Sequence, residues 1–291
     1  MEPKLIQNPL GFWEIKNKPT PEELQQYYAS KYFQEARGSY EHEYTPEELY
    51  FFKIKLEQRF AVIRKFREKE NGSLLDVGCG EGYTLDFFRK RGWSVKGFDF
   101  SSAGIESKNP DCLDATVRGD IYRLLLEEVS AGYTYDVIWL QNVLEHVIDP
   151  LELLKKLRCL ISHGGIAVVT VPNDFSITQQ SAKKYQHIES DFWVVPPDHL
   201  NYFSSESLHN VSDASGWKCV DVLADFPVDW FLFHPGSNYI SDKSQGKDAH
   251  RARVQLEVII HQQPIDDVIR FWSGLGKIGM GRDITGFLLP S

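Results

Sequence analysis

Three glycines alternate at positions 78, 80 and 82, with an acidic residue, Asp76, two places before the first. The apolar run Leu74-Leu75 leads into them and Tyr83 follows. This reads as a buried strand that ends in a tight turn and opens onto a helix. Only a backbone without Cβ lets a ligand lie directly on the main chain. The helix start beyond adds N–H donors and partial positive charge. The spacing is G-x-G-x-G rather than the dinucleotide G-x-G-x-x-G, and no phosphate-loop Lys-Ser/Thr follows. A purely structural turn is the alternative.

A second acid, Asp99, closes the run Trp93–Phe98 and lies seventeen residues after Gly82. That is roughly where a doubly wound fold sets a carboxylate against ribose hydroxyls. A carboxylate accepts two hydrogen bonds from a vicinal diol and rejects phosphate. A solvated acid at a strand end is the plain alternative. Asp120 precedes another apolar run and reads equally as a helix N-cap.

Elements that could hold these groups follow along the chain. Tyr135–Leu140 reads as a fourth strand, leaving through Gln141, Asn142, Glu145 and His146. Gly164-Gly165 feeds a fifth strand stopped by Pro172. Lys218–Ala224 reads as a sixth and Ile284–Leu289 as the last. Before the core, Pro19-Pro21-Glu22-Glu23 and Thr45-Pro46-Glu47-Glu48 look like helix starts. The second helix is expected to reach about Arg67, with Tyr50, Ile54, Leu56, Phe60, Val62, Ile63 and Phe66 as its apolar positions. Tyr27, Tyr28, Tyr32 and Phe33 belong either to the core or to a lid, with Gly38-Ser39-Tyr40 as a hinge.

LLDVGCGEGY at 74–83, the Gly119-Asp120 pair, the YDVI…VLEHV phrase at 135–147 and the Gly-Gly strand come in a fixed order. Together they resemble the class I S-adenosylmethionine-dependent methyltransferases, over roughly residues 70 to 225. The resemblance implies an α/β fold: a doubly wound seven-stranded sheet of order 3-2-1-4-5-7-6 with the last strand antiparallel. It divides the chain into an N-terminal helical extension (1–70), a cofactor-binding core (71–225), a helical insertion on the substrate side or at an oligomer contact (226–281) and the last strand (282–291). It implies S-adenosylmethionine as cofactor, leaving as S-adenosylhomocysteine. The implied contacts come from Asp76, Gly78, Cys79, Gly80, Gly82, Tyr83, Asp99, Phe100, Asp120, Ile121, Gln141 and Asn142. The phrase DHLNYFS at 198–204 is similar to one in bacterial methyltransferases of surface polysaccharide and sugar modification, with Ser204 or Ser205 capping the next helix.

Composition narrows the partners. The net charge is −9, so no basic face is expected for a nucleic-acid backbone. The four cysteines (Cys79, Cys112, Cys159, Cys219) form no C-x-x-C pair, which fits reduced thiols in a cytoplasm. No signal peptide and no membrane span are expected. A homodimer is compatible with this fold.

Methyl transfer to a hydroxyl needs a base within hydrogen-bond reach of the acceptor. Histidine suits, with an unperturbed pKa of about 6.5. His146, in the loop that faces the methyl in the resembled fold, and His199 are the candidates. Each has a structural alternative, His146 in ordering the Glu145 loop and His199 in bonding to backbone. His163, His187, His209, His234, His250 and His261 lack a motif, and Asp149 before Pro150 reads as a turn or cap. No adjacent acidic pair marks a metal site, and none is expected. Trp193, Tyr202 and Trp230, with Phe231, are candidates for a platform under a sugar ring or base, or for core packing. The leading expectation is an O-methyltransferase acting on a sugar hydroxyl, a nucleotide-linked or glycan intermediate of surface polysaccharide synthesis. A quinone, phenol or natural-product methyltransferase is the alternative, and a cofactor-binding scaffold without turnover is the second. Carbon methylation of a keto-sugar fits less well, because no cysteine precedes Cys79 to build a zinc module.

Overall fold

The computed structural model describes residues 4–20, 22–24, 26–27, 43–67 and 71–291. Two short strands open the chain, β1 (Leu5–Gln7) and β2 (Trp13–Ile15), paired antiparallel. The helical reading of 1–70 contained no such hairpin. A helix start does appear at Thr20, where the Thr20 and Glu23 side chains each accept from the other's backbone N–H. Tyr28, Tyr32, Phe33 and the Gly38-Ser39-Tyr40 hinge lie outside the described residues.

Helix α1 (Pro46–Phe66) starts where the sequence predicts, on a capping box between Thr45 and Glu48. Of the expected apolar positions, Ile54, Leu56, Val62 and Ile63 are buried and Phe60 is half-buried. Tyr50 and Phe66 face solvent, and Phe51, Lys55, Gln58, Arg59 and Val62 turn inward. Positions 51, 55, 58, 59 and 62 form one stripe at helical spacing. Choosing only apolar residues for the inner face therefore left out its polar members, Lys55, Gln58 and Arg59.

The core follows as β3 (Ser73–Val77), α2 (Tyr83–Arg89), β4 (Ser94–Asp99), α3 (Ala103–Lys108), β5 (Thr116–Arg118), α4 (Ile121–Ala131), β6 (Tyr135–Gln141), α5 (Pro150–Leu160) and β7 (Ile161–Pro172). Then come α6 (Ile177–Lys184), β8 (Asn201–Tyr202), α7 (Ser205–Ala214), β9 (Trp217–Ala224), α8 (Gly246–Ile260), α9 (Ile265–Lys277) and β10 (Asp283–Pro290). The seven-stranded sheet has the order β5-β4-β3-β6-β7-β10-β9. Counted within the sheet this is 3-2-1-4-5-7-6, as expected. Only β10 runs antiparallel, to β7 on one side and β9 on the other.

Helices cover both faces of the sheet, so its inner strands are buried on both sides and read as unbroken apolar runs. From Gly165 to Pro172, every residue of β7 is buried. Asp120, Asp149 and Ser204 cap α4, α5 and α7, each accepting a backbone N–H in the first turn. The insertion shares this core: Val268, Ile269 and Trp272 of α9 pack in one cluster with Leu74, Trp139 and Phe287 of the sheet. No helix among the described residues is long and apolar enough to cross a membrane.

Candidate active site

The three glycines after β3 all take positive φ: +78° at Gly78, +52° at Gly80 and +79° at Gly82. L-residues rarely adopt such angles. Gly78 is locked by packing, since a Cβ there would lie 2.4 Å from Val143 Cγ2. Gly80 is the opposite case: a Cβ there would meet nothing within 4 Å. It borders a cavity of about 420 Å³ at the carboxyl edge of the sheet, where open α/β folds bind ligands. One wall is Asp76 and the loop from Gly78 to Tyr83, and Gln141 and Asn142 at the end of β6 also line it. The cradle fits a ligand laid on the main chain, as the cofactor requires.

Asp76, Gly78, Cys79, Gly80, Gly82, Tyr83, Gln141 and Asn142 thus come together around one cavity. Asp99, Phe100, Asp120 and Ile121 lie outside the cavity lining. Asp99 turns back on the loop instead: Oδ2 accepts from Gly80 N at 2.9 Å and Oδ1 from Ser101 N at 3.0 Å. It braces the cradle, and an oxygen that accepts one bond keeps a lone pair for a hydroxyl. Burial raises its pKa, and the backbone donors offset part of the rise. Burial, with repulsion from Asp99, holds Asp76 well above the usual carboxylate range. Asp120 Oδ1 accepts from Arg123 N at 2.8 Å, the capping alternative, and Ile121 is buried.

Charged side chains line the rest of the cavity. Lys55 Nζ sits 2.7 Å from Asp225 Oδ1 and 2.9 Å from Glu257 Oε2. Arg59 Nη1 donates to Gln141 Oε1 at 2.8 Å, fixing that amide on the cavity. Burial pushes the Asp225 pKa up, but Lys55 and Arg59 outweigh it and leave it below normal. Arg253 and Asp283 line the same cavity, and Tyr44 stands at the loop side with its hydroxyl on Glu81 at 2.9 Å. None of these was singled out from the sequence. The usable signal was the polar trio Lys55, Gln58, Arg59 on an otherwise apolar helical stripe.

The two candidate histidines meet, although neither lines the cavity. Their rings stand edge to face with centroids 4.9 Å apart. His146 lies one turn past Asn142, its backbone N donating to Val143 O. Its Nδ1 is 2.7 Å from Asp198 O. A carbonyl only accepts, so Nδ1 carries the proton of the neutral ring and Nε2 presents the lone pair. Glu145 Oε1 lies 3.7 Å from that Nε2. Glu145 is 1% exposed, and burial lifts its pKa to about 8. The Asn142 amide moderates that rise, but among the described residues no hydrogen bond of ordinary geometry reaches either carboxylate oxygen. Ligand atoms of Glu145, His146 and His199 all fall within 4.8 Å of one another, a set that could gather round a divalent ion. Zinc ligands lie roughly 3.5 Å apart when each is ~2.1 Å from the metal, so these donors would have to draw closer.

The aromatic platform is corrected by the structure. Trp193 and Tyr202 are only 2% and 1% exposed, packed in a cluster with Leu200 and Leu232. The segment holding Tyr202 forms β8, which pairs with β2, and that hairpin covers it. Trp230, 46% exposed on a 3₁₀ turn, does not line the cavity.

Residues 51–222 match the protein family described as a methyltransferase domain. The chain is 26% identical over 179 residues to the ubiquinone biosynthesis O-methyltransferase of Colwellia psychrerythraea, covering 57% of this chain and 70% of that one. It is 35% identical over 94 residues to the protein of the same name from Saccharophagus degradans, covering 32% and 40%. Among the curated relatives the matched share of their length thus falls as low as 40%. In fold it resembles the plantazolicin methyltransferase BpumL, solved with S-adenosylhomocysteine, with a TM-score of 0.53 at 16% identity over 93% of this chain and 97% of that one. Because the family match spans more than half of the sequence, the chain belongs to the methyltransferase-domain family and is an S-adenosylmethionine-dependent methyltransferase.

Proposed function

We propose that this methyltransferase modifies a hydroxyl on a small phenolic or quinol-type acceptor that extends from the cavity past Asn142 to His146, whose Nε2 receives the hydroxyl proton. The observation that carries the choice of base is the 2.7 Å contact of His146 Nδ1 with the Asp198 carbonyl, which puts the proton of the neutral ring on Nδ1 and the lone pair on Nε2. The bound cofactor supplies a methyl group activated on a sulfonium. The chain supplies the rest. The glycine loop allows close approach, Arg59 holds Gln141 in place, and the Asp198 carbonyl steadies the ring as it gains charge. As the new C–O bond forms and the C–S bond breaks, the proton passes to Nε2 and the bond pair stays on sulfur.

The curated relatives support this acceptor class over a sugar, since they are named for O-methylation in ubiquinone biosynthesis. Burial of Trp193 and Tyr202 removes the main support for a sugar platform. The test is methyl transfer from labelled donor to a panel of phenols and catechols against a panel of nucleotide sugars. Turnover of phenols, lowered about 10²–10⁴-fold by His146→Ala with unchanged S-adenosylhomocysteine affinity, is the expected result. Transfer to nucleotide sugars alone would sink the acceptor class. Near-normal turnover by the variant would remove His146 as base. Tight cofactor binding with no transfer to any acceptor would favour the scaffold alternative.

A further inference from the structure

Arg253 sits midway along α8, in the insertion, and lines the same cavity as the glycine loop. Its Nε is buried and has no hydrogen-bond partner among the described residues. The guanidinium as a whole forms no hydrogen bond or ion pair among the described residues, and an arginine left without a close counter-ion on a cavity wall points to an anion supplied by a bound molecule. The guanidinium is 5.7 Å from the centroid of the Phe51 ring, a contact that limits how it can turn. Neighbouring cations are already committed, Lys55 to Asp225 and Glu257, and Arg59 to Gln141. The carboxylates whose charge Arg253 feels are Asp225, Glu257 and Asp283. Lys55 holds the first two at under 3 Å. Asp283 shares the cavity without an ion pair to Arg253.

We propose that Arg253 is the carboxylate receptor of this cavity, with its guanidinium taking a carboxylate of the bound molecule. A guanidinium suits this because two parallel N–H donors match the two oxygens of one carboxylate. The carboxylate belongs either to the amino-acid end of the methyl donor or to an acidic acceptor. The proposal rests on the cavity being the cofactor and acceptor site. That reading is tested separately, by whether the wild-type chain binds S-adenosylhomocysteine at all.

The experiment is calorimetric titration of the full chain, comparing wild type, Arg253→Gln and Arg253→Lys. The ligands are S-adenosylhomocysteine, its decarboxylated counterpart and, on protein saturated with S-adenosylhomocysteine, benzoate. If the donor's carboxylate is the ligand, Arg253→Gln weakens S-adenosylhomocysteine about tenfold to a hundredfold. The decarboxylated compound then binds wild type and variant alike. If the acceptor's carboxylate is the ligand, cofactor affinity is unchanged, benzoate binding is lost in Arg253→Gln, and Arg253→Lys restores part of it. The proposal is overturned if Arg253→Gln matches wild type for S-adenosylhomocysteine and benzoate. It is also overturned if the decarboxylated compound loses as much affinity as S-adenosylhomocysteine, because Arg253 would then only shape the fold.

Discussion

The two walls of the cavity are built from different materials. The loop wall is main chain: three glycines at positive φ, braced by Phe98 O and Asp99. The other wall is side chain: Lys55 and Arg59 from α1, Asp225 after β9, Arg253 from α8 and Asp283 at the start of β10. A backbone wall presents the same N–H and C=O groups whatever the neighbouring side chains are. A side-chain wall depends on buried charges that must neutralise one another, and each removal leaves a partner exposed to a low dielectric. The first wall suits a ligand common to a whole family. The second can be re-cut for a particular acceptor, at a risk to stability.

That contrast can be broken at either wall. The largest effect is expected at Gly80. Gly80→Leu would put a side chain into the cradle where a Cβ now meets nothing, abolishing S-adenosylhomocysteine binding in a calorimetric titration while circular dichroism keeps the native signal. Wild-type affinity in that variant would mean the cofactor does not lie on this loop. Next comes Lys55→Met. It strands Asp225 and Glu257 in the interior and should cost about 3–5 kcal/mol of unfolding free energy by denaturant melt. A loss below ~1 kcal/mol would show that water reaches the trio.

A smaller and pH-dependent effect belongs to Glu145. Its folded pKa of about 8 stands above the unfolded carboxylate value near 4.5. The folded state therefore binds the proton more tightly, and this contribution to stability is complete below the unfolded pKa. It is lost as pH rises through the folded pKa. Glu145→Gln should flatten the fall in melting temperature between pH 5 and about 9; curves parallel to wild type would refute the buried neutral acid. The smallest effect is at Trp230, which is exposed and away from the cavity. Trp230→Ala should change stability by less than about 0.5 kcal/mol and leave kcat unchanged. A large rise in KM would return it to the acceptor site.

The same division explains what could be read before the fold was in view. The loop wall lies in one stretch, 74–83, whose glycine spacing follows from the backbone angles it must adopt. The caps at Thr45, Asp149 and Ser204 were legible for similar local reasons, whereas the seven-stranded order followed from the family resemblance. Arg253 and Asp283 were not, because a lone arginine on a helix and a lone aspartate at a strand start have no local signature. They acquire a role only when α8 and β10 close over the sheet. Trp193 and Tyr202 misled for the converse reason. An aromatic cluster looks the same in sequence whether it lines a cavity or lies beneath a hairpin.

That hairpin bears on the order in which the molecule is finished. Glu145 O accepts from Leu200 N and Asn201 N, and Leu200 O accepts from Ile15 N. Lys18 Nζ donates to both Ile148 O and Asn201 Oδ1, the latter across 183 positions of sequence. The histidine loop is thus clasped by the start of the chain through contacts that close very long loops, which form late and slowly. The glycine cradle, in contrast, is braced within its own neighbourhood, by Phe98 and Asp99 about twenty positions away. The base is thus the part of the site that depends most on the closure of distant segments.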